Sequence, residues 1–257
     1  MSEIDLPADH PRYASLLTRH RIEDGVEKGI TSKQGLIAEG RGEAFDYLLG
    51  EESIESADAA ERAAAAQLLL ADHPVLSVNG NVAALVAAEI VDLAEAVNAD
   101  IEVNLFHRTE ERMEAIANHL REHGASKVKG LTGDGEIPGL SHDRATVDAD
   151  GIGAADVVVV PLEDGDRAEA LADAGKTEIV LDLHPLSRSA QTAAIPVVDN
   201  IIRAVPNIPA HATELQGAEQ ATLPELIADF DPAAVRAAAE RASRAGRAAA
   251  PHEELRG

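Results

Sequence analysis

Five short apolar runs between residues 75 and 199 alternate with helix-forming stretches, and this pattern leaves few architectures open. The runs are VLSV (75–78), IEVNLF (101–106), DVVVV (156–160), EIVLD (178–182) and IPVVD (195–199). DVVVV is apolar on both faces, as a central strand of a parallel sheet must be. Strands spaced by helices predict an α/β fold, Rossmann-like, with a parallel sheet covered by helices on both faces. Right-handed crossovers bring the C-terminal ends of the strands to one edge, where such sheets bind ligands.

The helical stretches carry their own punctuation. Ser15 is placed to cap a helix running to about Lys28 and ended by Gly29. ADAAERAAAAQLLLA (57–71) is Ala-rich, and His73-Pro74 stops it. Thr109 caps TEERMEAIANHLREHG, which Gly124 ends, and Asp231-Pro232 opens a last helix with Asp as N-cap and Pro at N1. NIIRAV starts a closing helix, and the polar stretch 126–153 reads as an irregular excursion or lid. The expectation is one domain over 1–257, made of a helical N-terminal segment (1–72), a Rossmann-like core (73–215) and a helical C-terminal extension (216–257).

The turns after four of the strands, NGN, FHRTE, PLEDGDR and LHPLSRS, are the most polar segments of the chain. A site is expected there. Its class is narrowed by what the chain lacks. There is no Cys, hence no thiolate nucleophile, disulfide or thiolate metal site. Neither G-x-G-x-x-G nor G-x-x-x-x-G-K-[ST] occurs, no H-E-x-x-H occurs among the ten His, and no Ser sits in a nucleophile elbow. The formal charge is −24, from 46 acidic and 22 basic residues, only five of them Lys. A surface this acidic repels nucleic-acid phosphate and anionic membrane. With no apolar leader or membrane-length run, a soluble, cytoplasmic protein is predicted. Strong screening in high salt would quiet such a charge, which suggests a halophilic setting.

Within the turns, Asn79-Gly80-Asn81 sits between a strand and a helix. Free N–H groups at that helix start suit a phosphate, while the competing reading is a plain βα turn. Arg41 between two glycines, Arg188 within LSRS, Arg19 and Arg108 are candidate anion binders by bidentate contact, or partners of the abundant acids. Glu163, Asp164 and Asp166 could hold Mg2+ or orient a ribose or an amine; Asp164 or Asp166 could equally cap the next helix. Asp182 and Asp199 close strands where an acid often meets a ribose hydroxyl.

HPRY (10–13), GLIAEGRGEAFDYLLGE (35–51), SVNGNVAALV (77–86), EVNLFHRTEER (102–112), IPGLSHDRATVD (137–148), ADVVVVPLEDGDRAEAL (155–171), DLHPLSRSAQTA (182–193) and VVDNIIRA (197–204) follow in this order. Together they resemble the archaeal phosphopantothenate synthetases, the 4-phosphopantoate–β-alanine ligases, from about residue 10 to about 215. The resemblance implies a homodimer that uses ATP with Mg2+, and joins 4-phosphopantoate to β-alanine with release of AMP and diphosphate in coenzyme A biosynthesis. It implies ATP contacts at Arg19, Arg41, Asp182, Leu183, His184, Arg188, Ser189, Asp199, Asn200 and Ile201. Catalytic positioning would fall to Arg19, Arg41, Asn81 and Arg108, with Asn79 beside them. Two departures stand out: Glu39 replaces a His that the family usually carries, and His184 replaces an Asn. Against this stand two rivals. One is an NAD(P)-dependent Rossmann oxidoreductase, with Glu102 as its ribose acid about 20 residues past the NGN turn. The other is a nucleotide sensor without turnover.

Overall fold

The computed structural model describes residues 7, 10, 13–162, 165–217 and 222–245. Five parallel strands form the main sheet: β1 (Pro74–Val78), β2 (Asp100–Val103), β5 (Val157–Pro161), β6 (Thr177–Asp182) and β7 (Ile195–Val198), in the order β2-β1-β5-β6-β7. The chain leaves β1 toward one edge and returns to β5 on its other side. This is a doubly wound order with its switch point between β1 and β5. The α/β, Rossmann-like expectation holds.

Strand residues alternate between two cores. Leu76, Val78, Val157, Val159, Ile179 and Leu181 face one. α3 (Glu55–Leu70), α4 (Gly80–Val97), α5 (Glu110–Glu122) and α8 (Ile201–Gln216) close it. Val75, Val158, Val160 and Val180 face the other, under α6 (Gly165–Asp173) and α7 (Arg188–Thr192). Burial on both faces explains why these strands read as unbroken apolar runs. α1 (Tyr13–Glu27) and α2 (Lys33–Leu49) precede α3, while α9 (Thr222–Ala228) and α10 (Pro232–Ala245) end the described chain.

Several details correct the sequence reading. IEVNLF stops being a strand at Val103, because Asn104 turns its amide to the carbonyls of Arg144 and Thr146. Ser15 is no cap: α1 is already helical at Tyr13, and the Ser15 hydroxyl donates to Glu43 Oε1 at 3.2 Å. Residues 126–153 are not a lid. They contain a two-stranded ribbon, β3 (Gly135–Glu136) with β4 (Thr146–Val147), and bury Ile137, Val147 and Ile152 against the sheet. Glu102 anchors this excursion, accepting from the backbone N–H groups of Asp148 (3.0 Å) and Ile152 (2.6 Å). Caps at Thr109 and Asp231 form as read, Thr109 accepting from Arg112 N and Asp231 from Ala233 N and Ala234 N.

Candidate active site

A cleft of about 680 Å3 lies at the C-terminal edge of the sheet, a size usual for small-molecule sites. Its floor comes from the turns after four strands: Asn81 after β1, Leu162 after β5, Leu183 after β6, and Asn200, Ile201 and Arg203 after β7. Its wall comes from α1 and α2, through Thr18, Glu39, Glu43 and Asp46.

The wall is held to the floor by the NGN turn. Asn79 caps α4, its side-chain oxygen accepting from the N–H groups of Asn81 (3.0 Å) and Val82 (3.1 Å). Its amide nitrogen donates to the Pro161 carbonyl at 3.0 Å, across the switch point. Asn79 is therefore spent on the turn itself, as the plain βα reading has it. Asn81 accepts a hydrogen bond from Thr31 Oγ1 and donates to the Gly35 carbonyl at 3.2 Å, so it docks the start of α2 onto the start of α4. That docking needs Gly35: a Cβ there would sit 2.3 Å from Asn81 Oδ1.

Arg41 does not lie in a loop. It is on the exposed side of α2, away from the cleft lining. Of the flanking glycines, Gly42 serves helix packing, since a Cβ there would come within 3.1 Å of the Asn200 amide nitrogen, while Gly40 faces open space. Arg19 pairs with Glu43 between α1 and α2, and that hydrogen bond and charge raise its pKa. Arg188 is held bidentately by Glu169, at 2.6 and 3.2 Å, on an exposed surface, and the same hydrogen bonding and charge raise its pKa. Arg108 donates to the Gly130 carbonyl at 2.6 Å, while its Nη1 is buried without a partner.

The acids at the strand ends organise their own loops. Asp182 accepts from His184 N (3.0 Å) and Ser187 Oγ (2.5 Å). His184 is exposed, and its Nδ1 accepts from Leu186 N at 3.1 Å, which places the ring proton on Nε2. Ser189 is buried at the start of α7. Asp166 lies inside the first turn of α6, not ahead of it, and pairs with His142 at 3.1 Å. Glu163 and Asp164 lie outside the described residues.

Asp199 is 1% exposed and lies beneath the cleft floor. Its carboxylate accepts from Ser53 Oγ (2.5 Å), Asn200 N (2.7 Å) and Arg203 Nη2 (2.6 Å). Arg203 also donates to Asp46 at 2.7 Å, and the Asn200 amide donates to Asp46 at 3.1 Å. Burial opposes the charge on Arg203, but Asp46 and Asp199 outweigh it and hold its pKa up. For Asp46 the balance goes the other way: burial raises its pKa despite Arg203 and Asn200. Arg203 thus has two acids for one cation. Glu39, whose pKa burial also raises, accepts from Thr18 Oγ1 at 3.3 Å on the same wall.

The structure brings Asn81, Leu183, Asn200 and Ile201 to the cleft itself, and Asp199 just beneath it. Arg19 borders it through Glu43. Arg41, Arg108, Asp182, His184, Arg188 and Ser189 are outside its lining. Thr18, Glu43, Asp46 and Arg203 are lining residues that the strand-end reading does not single out. The one signal for Arg203 was its place in VVDNIIRA, four residues after Asp199. Glu102 is wholly buried and consumed by the excursion, so it is not available to a ribose. That removes the main support for the oxidoreductase reading.

The cleft carboxylates Glu39, Glu43, Asp46 and Glu51 are hard oxygen donors of the kind that suit Mg2+. Among the described residues no three of them approach within metal-holding distance, so a Mg2+ ion there would take most of its ligands from phosphate and water.

Residues 56–245 match the model of the phosphopantothenate/pantothenate synthetase family. The chain is 53% identical over 229 residues to the 4-phosphopantoate–β-alanine ligase of Thermococcus kodakarensis, covering 89% of this chain and 88% of that protein. It is 55% identical over 227 residues to the ligase of that name from Methanosarcina mazei, covering 88% and 89%. It is 57% identical over 210 residues to that of Methanospirillum hungatei, covering 82% and 86%.

Proposed function

The chain belongs to the phosphopantothenate/pantothenate synthetase family, and on that footing we propose that it joins 4-phosphopantoate to β-alanine, using ATP. The observation that carries this reading beyond family membership is the cleft. It sits at the strand ends beside the switch point, where doubly wound sheets take nucleotides, and it is lined by the VVDNIIRA segment.

A carboxylate is a poor acyl donor, so it must first be activated. The pantoate carboxylate attacks the α-phosphorus of ATP, forming an acyl adenylate and releasing diphosphate. The β-alanine amine then attacks the acyl carbon, loses a proton and releases AMP. The protein's share is positioning and charge neutralisation. Arg19, Arg41 and Arg188 are proposed for phosphates, Asp182 and Asp199 for ordering the ribose loops, and Asn81 and Arg108 for 4-phosphopantoate or the β-alanine carboxylate. Arg19 and Arg188 must leave Glu43 and Glu169 to do so. Mg2+, bound with the triphosphate, would supply countercharge to a cleft already rich in carboxylates.

A homodimer belongs to this reading. Leu36, Ile37, Tyr47 and Leu48 expose 41, 69, 70 and 47% of their surface along one side of α2, with Gly40, Arg41 and Ala44 between them. An apolar helix face of this kind suits a second copy of the chain. It also gives Arg41 a place to act, on the partner's side of the contact.

The test is a product assay in molar KCl with Mg-ATP, 4-phosphopantoate and β-alanine. AMP and phosphopantothenate are expected in equal amounts. A folded, ATP-binding protein that forms neither product would overturn the ligase reading and favour a nucleotide sensor.

A further inference from the structure

Asp58 and Glu61 on α3 and His211 on α8 converge away from the cleft. One potential donor atom from each lies within 4.8 Å of the other two. Asp58 is open to solvent, its side chain 62% exposed, while His211 is 15% exposed and Glu61 is completely buried. His211 Nε2 lies 3.1 Å from Asp58 Oδ1. Two further atoms are sealed from water without any partner, Glu61 Oε1 and His211 Nδ1. A buried carboxylate oxygen and a buried ring nitrogen left unpaired are costly. With the ring proton on Nδ1, His211 Nε2 has its lone pair free to join Glu61 Oε1 and an Asp58 oxygen on one cation.

We infer that Asp58, Glu61 and His211 form a divalent-metal site of the Zn2+ class, joining α3 to α8 and reached from solvent past Asp58. One imidazole nitrogen and two carboxylates suit Zn2+ among the common divalent ions, with water as fourth ligand. Zinc–ligand bonds of about 2.0–2.2 Å put tetrahedral donors about 3.3 Å apart. The His211–Asp58 separation is already close to that. The other Glu61 oxygen is already engaged: Oε2 accepts from Asn207 at 3.0 Å. Asn207 also donates to Ser53 at 3.1 Å, and Ser53 donates to Asp199 under the cleft floor. The metal site therefore braces the polar chain on which Asp199, Arg203 and Asp46 rest.

The experiment is calorimetric titration of chelator-treated, full-length protein with Zn2+, without nucleotide, paired with thermal melts. One saturable equivalent is expected. At free Zn2+ about 100 times the dissociation constant, the melting temperature rises by about 5–10 °C. Asp58→Asn weakens binding by about 10- to 100-fold. His211→Asn, a substitution at a partly exposed helix position, abolishes both the equivalent and the melting shift. His119 and His123, whose ring centroids lie 4.4 Å apart, form the competing imidazole pair, so His119→Asn is the control and leaves both readings unchanged. No binding by the unaltered protein, or binding that survives His211→Asn, overturns the site.

Discussion

Replacing Arg203 by Met keeps the aliphatic stem but removes the cation between two buried acids. Side-chain exposure is 15% for Arg203, 13% for Asp46 and 2% for Asp199, so solvent cannot take over the lost role. Asp199 would keep only Ser53 Oγ and Asn200 N, and Asp46 only the Asn200 amide. Breaking a buried ion pair from one side costs about 3–5 kcal/mol, because the stranded charge remains buried. At about 2–4 °C per kcal/mol for a chain of this size, the melting temperature should fall by about 6–20 °C. The remedy identifies the cause. Asp199→Asn added to Arg203→Met removes the stranded charge and should recover about 1–2 kcal/mol, although alone it is destabilising. Urea unfolding in molar KCl, followed by far-ultraviolet circular dichroism, is the assay, since the chain has no Trp and only two Tyr. A single variant within about 0.5 kcal/mol of the parent would refute the buried-charge reasoning, because that is the range of ordinary surface changes. So would a double variant less stable than the single.

Three other outcomes follow from the same reading. Burial raises the pKa of Glu61 and Glu102 to about 7 and of Glu178 to about 8, against 4.5 unfolded. The native state then holds protons that the unfolded chain has released, so stability falls as pH rises from about 4.5 to 8; melts at pH 6 and pH 8 in equal salt should show the higher midpoint at pH 6, and the reverse order would refute it. Ile37→Glu, on the exposed face of α2, should give a monomer by light scattering without a lower melting temperature; a variant that stays dimeric removes that face from the interface. Glu169→Gln releases Arg188 from an exposed pair, so stability should change by less than about 0.5 kcal/mol while the KM for ATP falls, and an unchanged KM argues against a phosphate role for Arg188.

The sheet was legible because its strands are buried on both faces, which writes unbroken apolar runs into the sequence. Caps such as Thr109 and Asp231 were legible because capping is a local event, decided within three residues. The cleft was half legible. Its floor lies at strand ends, as the topology requires, and Asn81, Asn200 and Ile201 are there. Its wall is set by α1 and α2, whose position depends on contacts 46 to 50 residues away, such as those of Asn81 with Gly35 and Thr31. No local pattern carries that information. Glycines around Arg41 signalled a loop for the same reason: glycine serves turns and close helix contacts alike, and only the neighbour at Asn200 distinguishes them.

The helix that walls the cleft also carries the exposed apolar stripe, with Glu39, Glu43 and Asp46 on one side and Ile37 and Leu48 on the other. Any shift of α2 is therefore felt on both sides at once. If association with a second copy moves α2 so as to tighten nucleotide binding by some factor, saturating nucleotide must tighten association by that same factor, by thermodynamic reciprocity. Protein concentration then becomes a hidden variable in every affinity measured on this chain, and ligand concentration one in every measurement of its size.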